Sequence, residues 1–344
     1  MAHPSPLSAQ VPQRRLRDGS TIPGIGMGTF GSDRYGPAEV SAAVAGALRV
    51  GYRLIDCAAV YGNEDSIGEV LADAFAGGLP RDEVYVMSKV WNDSHAPVET
   101  VASVERSLRD LRLDHLDAVF VHWPFPNHHA PHAGTDARDP HARPYSHDAY
   151  MQTWGALEGL VERGLVRHLG SSNTTIPKLR LLLRDAHVLP SLNEMELHPT
   201  FQQGELFQVC LENHVQPVGY SPLGSPSRPE RDRTPDDVVD TEHPAIQDAA
   251  RRLGVHPALV CLKWAVARGQ IPIPFAVKPE QYTANLHAVT EGPLLPAELE
   301  AIRSAERNSR LIKGQVFLWE GASSWLDLWD VDGTIPAWPE RATT

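Results

Sequence analysis

The stretch Gly51-Tyr52-Arg53-Leu54-Ile55-Asp56-Cys57-Ala58-Ala59-Val60-Tyr61-Gly62-Asn63-Glu64 reads as a short apolar strand that ends in a carboxylate, with a phenol five residues on. The same pattern recurs outward from it. Residues 83–89 and 116–122 are β-branched and apolar runs of strand length, and they end in Lys89 and His122. Between these runs the apolar spacing changes to that of a helix: Ile67, Val70, Leu71 and Ala74 fall on one face, as do Val101, Val104, Leu108 and Leu111. Strand and helix in alternation predict a parallel sheet.

Residues 24–29, 166–170, 191–194, 216–220 and 271–274 supply five more strands. Eight strand–helix units without a break in composition predict an α/β fold, a closed (β/α)8 TIM barrel rather than an open doubly wound sheet. Asp18-Gly19 between short flanks predicts an N-terminal hairpin over residues 15–22. The whole chain reads as one domain, with a core over about residues 15–312 and an extended C-terminal tail over 313–344. Two long βα loops, 123–146 and 224–242, follow strand ends on the face where barrel sites form, so they are expected to be walls or lids, and the tail from Gly314 onward is a third such segment.

Composition narrows the class of partner. A formal charge of −12 repels phosphate backbones, so no nucleic-acid partner is expected. No apolar run reaches membrane-span length, and the basic N-terminal region lacks a signal-like apolar stretch, so no membrane partner is expected and the cytoplasm is the expected location. Cys57, Cys210 and Cys261 are far apart and lack any CxxC pairing, which predicts small buried hydrophobes. Oligomeric state is not readable from these features.

Each proton-handling residue has a plain packing explanation when taken singly. Together, Asp56, Tyr61, Lys89 and His122 share one location at the carboxyl ends of neighbouring strands. A phenol is a weak acid, so a cation is needed nearby for it to work near neutrality. Lys89 can supply that charge, Asp56 can hold the lysine protonated, and His122 can orient a carbonyl oxygen against Tyr61.

On these residues the chain resembles the aldo-keto reductase family, which carries an Asp-Tyr-Lys-His tetrad at closely similar spacing. The resemblance extends through the segments 28–30, 89–91, 122–124, 170–173, 193–199 and 220–224, and spans about residues 15–312. It implies an enzyme: an NAD(P)H-dependent reductase of aldehydes or ketones, with Tyr61 as general acid and the reverse alcohol oxidation also open. By the same resemblance Tyr220 stacks on the nicotinamide, while Thr29, Ser172, Asn173 and Glu194 lie at its end of the cofactor. Ser221, Leu223 and Ser225 line the pyrophosphate path, and Asn285 meets the adenine. A strand–GxGxxG–helix unit is missing, consistent with a barrel in place of a Rossmann fold.

Two departures from the family pattern stand out. Glu194 occupies a position usually held by glutamine, and an ionised glutamate only accepts hydrogen bonds. At residues 275, 276 and 281 the usual lysine, serine and arginine are replaced by Phe275, Ala276 and Gln281. A 2′-phosphate is normally held by such cations, so NADH tolerance or preference is expected, with Lys278 as the remaining nearby cation. Phe275 either stacks on the adenine or packs against the last helix.

Phe30, Trp91, Trp123 and Phe125 follow strand ends and are expected to form an aromatic wall for substrate. The loop carrying His128, His129, His132, His141 and His147 is Pro-rich and aperiodic, so a solvated lid is expected and no metal. In the tail, Trp319, Trp325 and Trp329 alternate with Glu320, Asp327, Asp330 and Asp332. That pairing suits a sugar or polyol derivative, or else a segment capping the outside of the barrel. Two further classes stay open: a nucleotide-sensing regulatory subunit with little turnover, and a metal-dependent barrel hydrolase.

Overall fold

The expected hairpin is present, with β1 (Gln13–Arg15) antiparallel to β2 (Thr21–Pro23) and Arg15 opposite Thr21. Gly19 turns it with φ +89°, a left-handed conformation that suits glycine. The computed structural model describes residues 7–31, 34–126, 142–226, 228 and 233–336.

Eight strands follow in one parallel sheet, in chain order. They are β3 (Met27–Gly28), β4 (Leu54–Asp56), β5 (Tyr85–Val90), β6 (Leu116–Val121), β7 (Val166–Ser172), β8 (Leu192–Glu196), β9 (Gln216–Tyr220) and β10 (Ile271–Pro272). The two ends of the sheet meet: the Gly26 N–H donates to the Pro272 carbonyl at 3.0 Å and that of Gly28 to Pro274 at 3.1 Å. These bonds close the sheet into the barrel that the alternating pattern predicts. Closure depends on a missing side chain, since a Cβ on Gly26 would lie 2.8 Å from Leu54 Cγ and 2.9 Å from Ile273 Cγ2.

Leu54, Met87, Phe120, Leu192, Val218 and Ile271 fill the barrel, and Leu16 and Ile22 of the hairpin region join them. The hairpin therefore plugs the end opposite to the strands' carboxyl termini. Ten helices are present among the described residues: α1 (Pro37–Val50), α2 (Glu64–Ala76), α3 (Pro97–Asp110), α4 (His147–Glu162), α5 (Ile176–Asp185), α6 (Gly204–Glu212), α7 (Pro244–Leu253), α8 (Pro257–Ala267), α9 (Pro279–Thr290) and α10 (Pro296–Arg303). Six of them begin on proline, whose fixed φ and missing N–H suit a first helical position. Ile67 and Leu71 of α2, and Val104 and Leu108 of α3, bury the faces that the sequence spacing marks. Each such side chain contributes about 1.5–3 kcal/mol on burial. Cys57, Cys210 and Cys261 are free and buried, and no helix among the described residues is long and apolar enough to cross a membrane.

The tail corrects one expectation. It does not cap the outside of the barrel but lies across the carboxyl-terminal mouth, where Phe317 meets Trp123 at 4.7 Å and Trp91 at 5.7 Å between ring centroids. Trp329 meets Trp123 at 5.5 Å and donates its indole N–H to the Lys313 carbonyl at 2.8 Å. Of its carboxylates, Asp330 turns inward, pairing with buried Lys178 at 2.8 Å and accepting from Thr175, while Asp327 accepts locally from the Ser323 N–H at 2.6 Å and exposed Asp332 from Thr334 at 2.7 Å. A buried Lys–Asp pair holds because each charge satisfies the other.

Candidate active site

Strand ends bring the four tetrad residues to one place. Asp56 is the last residue of β4, Lys89 lies next to the end of β5, His122 follows β6, and Tyr61 sits in the short turn after β4. Asp56 and Lys89 are 2% and 1% exposed, and Lys89 Nζ lies 2.5 Å from Asp56 Oδ1 and donates to the Cys57 carbonyl at 3.1 Å. The ammonium is 5.5 Å from the Tyr61 ring centroid. His122 meets that ring edge-on at 5.8 Å and Trp91 at 5.0 Å.

Supporting bonds fix this geometry. The Thr29 hydroxyl donates to the Asp56 carbonyl at 2.7 Å and the Asn63 amide to the Thr29 carbonyl at 2.8 Å, so fully buried Thr29 braces the turn. Glu64, the last residue of the opening stretch, accepts from Ser88 at 2.5 Å and Ser107 at 2.8 Å. It ties α2 to β5 and α3, a role that sequence reasoning missed although the residue was in view.

The electrostatics assign a protonation state to each group. Burial works against the Lys89 charge, but Asp56 and Glu194 overcome it and hold the ammonium well above the ordinary lysine range. Burial raises the Tyr61 phenol and Lys89 pulls it down; burial wins, so Tyr61 is a phenol throughout the neutral range. The pull of Lys89 on the phenol is the one the sequence analysis assigns to it, and desolvation exceeds it. Burial first, and Lys89 second, press His122 well below its usual range, so its imidazole is neutral.

Beyond the tetrad, β7 to β9 present the next group. Asn173 has a left-handed φ of +54°; its amide donates to the His122 carbonyl at 2.9 Å and to Ser172 Oγ at 3.2 Å, and its oxygen accepts from the Tyr220 hydroxyl at 2.6 Å. The Asn173 amide is thus occupied within the protein, whereas Ser172 keeps its own hydroxyl proton to donate. Glu194, opposite Ser172 in the β7–β8 register, lies 3.3 Å from Lys89 Nζ. A hydroxyl donor, a carboxyl group and a phenol ring fixed by its own hydrogen bond form a donor set that fits a flat carboxamide.

After β9 the chain turns on Ser221, Gly224 and Ser225, all at positive φ, with Ser221 Oγ donating to Ser225 Oγ at 3.0 Å; Leu223 between them is half-buried. Arg228 donates to the Ser225 carbonyl at 3.1 Å and pairs with Asp237, which Lys313 also meets at 3.1 Å. Against burial, which raises it, bonds from Thr234, Lys313 and Arg228 bring Asp237 down to about 2. This pairing joins the 224–242 connection to the tail. Arg228 and Lys313 are not in any motif, and nothing in their local sequence points to them.

At the far end, Phe275 is half-buried with its ring 5.8 Å from Tyr35, Asn285 is 5% exposed, and Lys278 and Gln281 are exposed beside the start of α9. Around the mouth, Phe30 is 40% exposed and 5.2 Å from Tyr61. Trp123 is buried under the tail, and Phe125 is 1% exposed and packed against Trp123. Phe317 from the tail enters this cluster, a long-range contact that no local pattern signals. His128, His129, His132 and His141 lie outside the described residues; His147 bonds Tyr145 at 2.8 Å and Asp185 at 2.7 Å. Among the described residues no group of three His, Cys, Asp or Glu is arranged to hold a metal.

Behind Tyr220, His198 bridges two carboxylates, Glu196 at 3.0 Å and Asp240 at 2.8 Å, and Glu196 also accepts from the Leu311 and Ile312 N–H groups. Burial lowers the imidazole, yet the bonds and charges of Asp240 and Glu196 prevail and raise it to about 9. A folded value above the unfolded one, about 6.5, adds about 3 kcal/mol that is fully present below pH 6.5 and is lost as pH rises through 9. Urea unfolding should therefore show stability falling between pH 6.5 and 9.5, and His198→Gln should flatten that slope. An unchanged slope in the variant would exclude this bridge as its source.

Residues 24–307 match the model of the Aldo/keto reductase family. An aldo/keto reductase of Synechocystis sp. is 37% identical over 317 residues, 92% of this chain and 95% of that protein. The aldo-keto reductase family 1 member A1 of Sus scrofa is 38% identical over 299 residues, 86% of this chain and 90% of its own length. Among solved structures, the Bombyx mori aldo-keto reductase in complex with NADP superposes with a TM-score of 0.77 at 30% identity, covering 88% of this chain and 95% of that one.

Proposed function

The chain belongs to the aldo/keto reductase family of NAD(P)-dependent oxidoreductases, and from that premise we propose that it reduces an aldehyde or ketone to the alcohol with Tyr61 as the proton donor. The supporting observation is the convergence of Tyr61, His122 and Lys89, with Lys89 Nζ 5.5 Å and the His122 ring 5.8 Å from the Tyr61 ring, where burial keeps Tyr61 a phenol and His122 neutral while Asp56 and Glu194 keep the lysine charged. A phenol adjoining an ammonium can give up its proton as negative charge develops on a carbonyl oxygen. His122, neutral, hydrogen-bonds that oxygen and sets its direction. These states support turnover over nucleotide sensing alone.

Ser172, Glu194 and Tyr220 would hold the nicotinamide carboxamide and ring, with Asn173 bracing Tyr220. Ser221, Leu223 and Ser225 would follow the pyrophosphate, and Phe275, Lys278, Gln281 and Asn285 the adenosine end. When bound, the nicotinamide supplies the hydride to the carbonyl carbon. Phe30, Trp91 and Trp123 would wall the substrate, Phe125 supporting Trp123. Because Phe317 and Trp329 are the tail side chains that meet Trp91 and Trp123, and Asp330 is bound to Lys178, the wall is aromatic, which favours an apolar or aromatic carbonyl over a sugar or polyol derivative. A screen of NAD(P)H oxidation across aldoses, keto-sugars and aromatic aldehydes tests this, and turnover confined to sugars would overturn the aromatic preference.

For the cofactor, residues 273–285 carry Lys278 alone as a cation, and it is exposed. A single flexible ammonium holds a 2′-phosphate less well than a rigid guanidinium fork. Steady-state kcat/KM with NADH should lie within about tenfold of that with NADPH. A preference for NADPH of about a hundredfold, about 2.7 kcal/mol, would refute NADH tolerance.

A further inference from the structure

We propose that Glu194 is a positioning residue that shares a proton with Asp56 across Lys89, so that this carboxyl pair, by holding one proton or none, sets how readily Tyr61 gives up its own. The proposal rests on the reductase reading of Tyr61. Its basis is a cluster of three groups: Lys89 Nζ stands 2.5 Å from Asp56 Oδ1 and 3.3 Å from Glu194 Oε1, with side chains 0%, 4% and 3% exposed. Two ionised carboxylates on one ammonium would leave a net negative charge in a site closed to water, a costly arrangement. A proton held between them removes that charge and makes a carboxyl–carboxylate hydrogen bond.

The hydrogen bonding agrees. Glu194 Oε2 is buried and has no hydrogen-bond partner among the described residues, while Glu194 Oε1 and Asp56 Oδ1 lie on the same ammonium. Two carboxylates cannot bond one another; a carboxylic acid and a carboxylate can. Burial, then the charge of Asp56, push the Glu194 carboxyl up to about 8 against the pull of Lys89.

The groups around it from each neighbouring element do not titrate in that window. Lys89 of β5 stays charged, the Tyr61 phenol after β4 and Tyr220 of β9 stay protonated, the Cys57 thiol is pushed well up by burial, and His122 stays neutral. Ser172 of β7 and Asn173 just after it carry no charge. With Glu194 protonated the centre sums to zero, Asp56 against Lys89. Loss of that proton adds a negative charge, which opposes formation of the Tyr61 phenolate and slows reduction. A protonated glutamic acid also presents one donor and one acceptor, as glutamine does, so below the transition Glu194 copies the amide that most of the family carries.

Glu194→Gln locks the uncharged form. The kcat for carbonyl reduction at saturating NAD(P)H, normalised to pH 6.5 for each protein, should fall about tenfold by pH 9.5 in the wild type with an inflection near pH 8, and the variant should lack that inflection. Infrared difference spectra of the wild type between pH 6.5 and 9.5 should lose a protonated-carboxyl C=O stretch, a band missing from Glu194→Gln. The same inflection in both proteins, or no such band in the wild type, overturns the proposal. If no carbonyl compound is reduced, the reductase reading fails and Tyr61 modulation with it, while the infrared band still reports whether the proton is shared.

Discussion

Tyr61→Phe is expected to lower kcat by about 10²- to 10⁴-fold, the usual contribution of a positioned general acid, while leaving NAD(P)H affinity within about twofold. The reason is that no neighbour can take over. His122 is neutral and pressed well below its usual range, so it has no readily released proton; Lys89 is held charged between two carboxyl groups and is the stabiliser of the phenolate rather than its substitute. The ring of Phe keeps the contacts with Phe30 and His122, so the fold and the cofactor path should persist. Cofactor titration by tryptophan fluorescence and single-turnover kinetics separate the two quantities. A variant that keeps wild-type kcat would remove Tyr61 from its assigned role.

Lys89→Met is expected to abolish turnover and cost about 3–5 kcal/mol of stability, because it leaves buried carboxyls without their counterion. Asp56 and Glu194 would then face each other with no positive charge between them. Each would take up a proton more readily in the folded chain than in the unfolded one. Groups whose folded values are raised in this way destabilise above those values and cease to do so in acid. The deficit measured by urea unfolding should therefore be largest above pH 8 and shrink toward pH 5. A loss that is constant with pH would mean that packing of the lysine stem, rather than the unpaired carboxylates, carries the effect.

Much of the fold was legible because barrel strands and helices announce themselves locally. The run 51–56 is apolar with Gly51 before it and Asp56 at its end, and it becomes β4 with all three residues buried. Period-3.6 spacing marks the buried faces of α2 and α3 correctly for the same reason: each helix must hide one stripe against the sheet. The tetrad was legible because parallel strands share one carboxyl-terminal face, so residues at their ends converge whatever their separation in sequence. The edges of this legibility are also physical. β3 is only two residues long, and its surroundings leave no room for side chains at Gly26, beside the Leu54 and Ile273 side chains, or at Gly28, beside the Ile273 carbonyl. Phe125 follows a strand end as Trp123 does, and two positions further along it packs beneath Trp123 at 1% exposure.

Sequence alone determined the alternation of elements, the family and the four residues at the strand ends, because these depend on periodicity and on motifs within a few residues of each other. Only the tertiary structure decided what those residues are electrically. The phenol at Tyr61, the neutral His122 and the second carboxyl at Lys89 follow from burial and from distances between residues on different strands of the barrel. It likewise decided that the tail lies over the mouth, through Lys178 and Asp330, and that His198 joins β8 to the 224–242 connection. Desolvation and Coulomb energy depend on the closed barrel as a whole, and no local pattern of residue types encodes them.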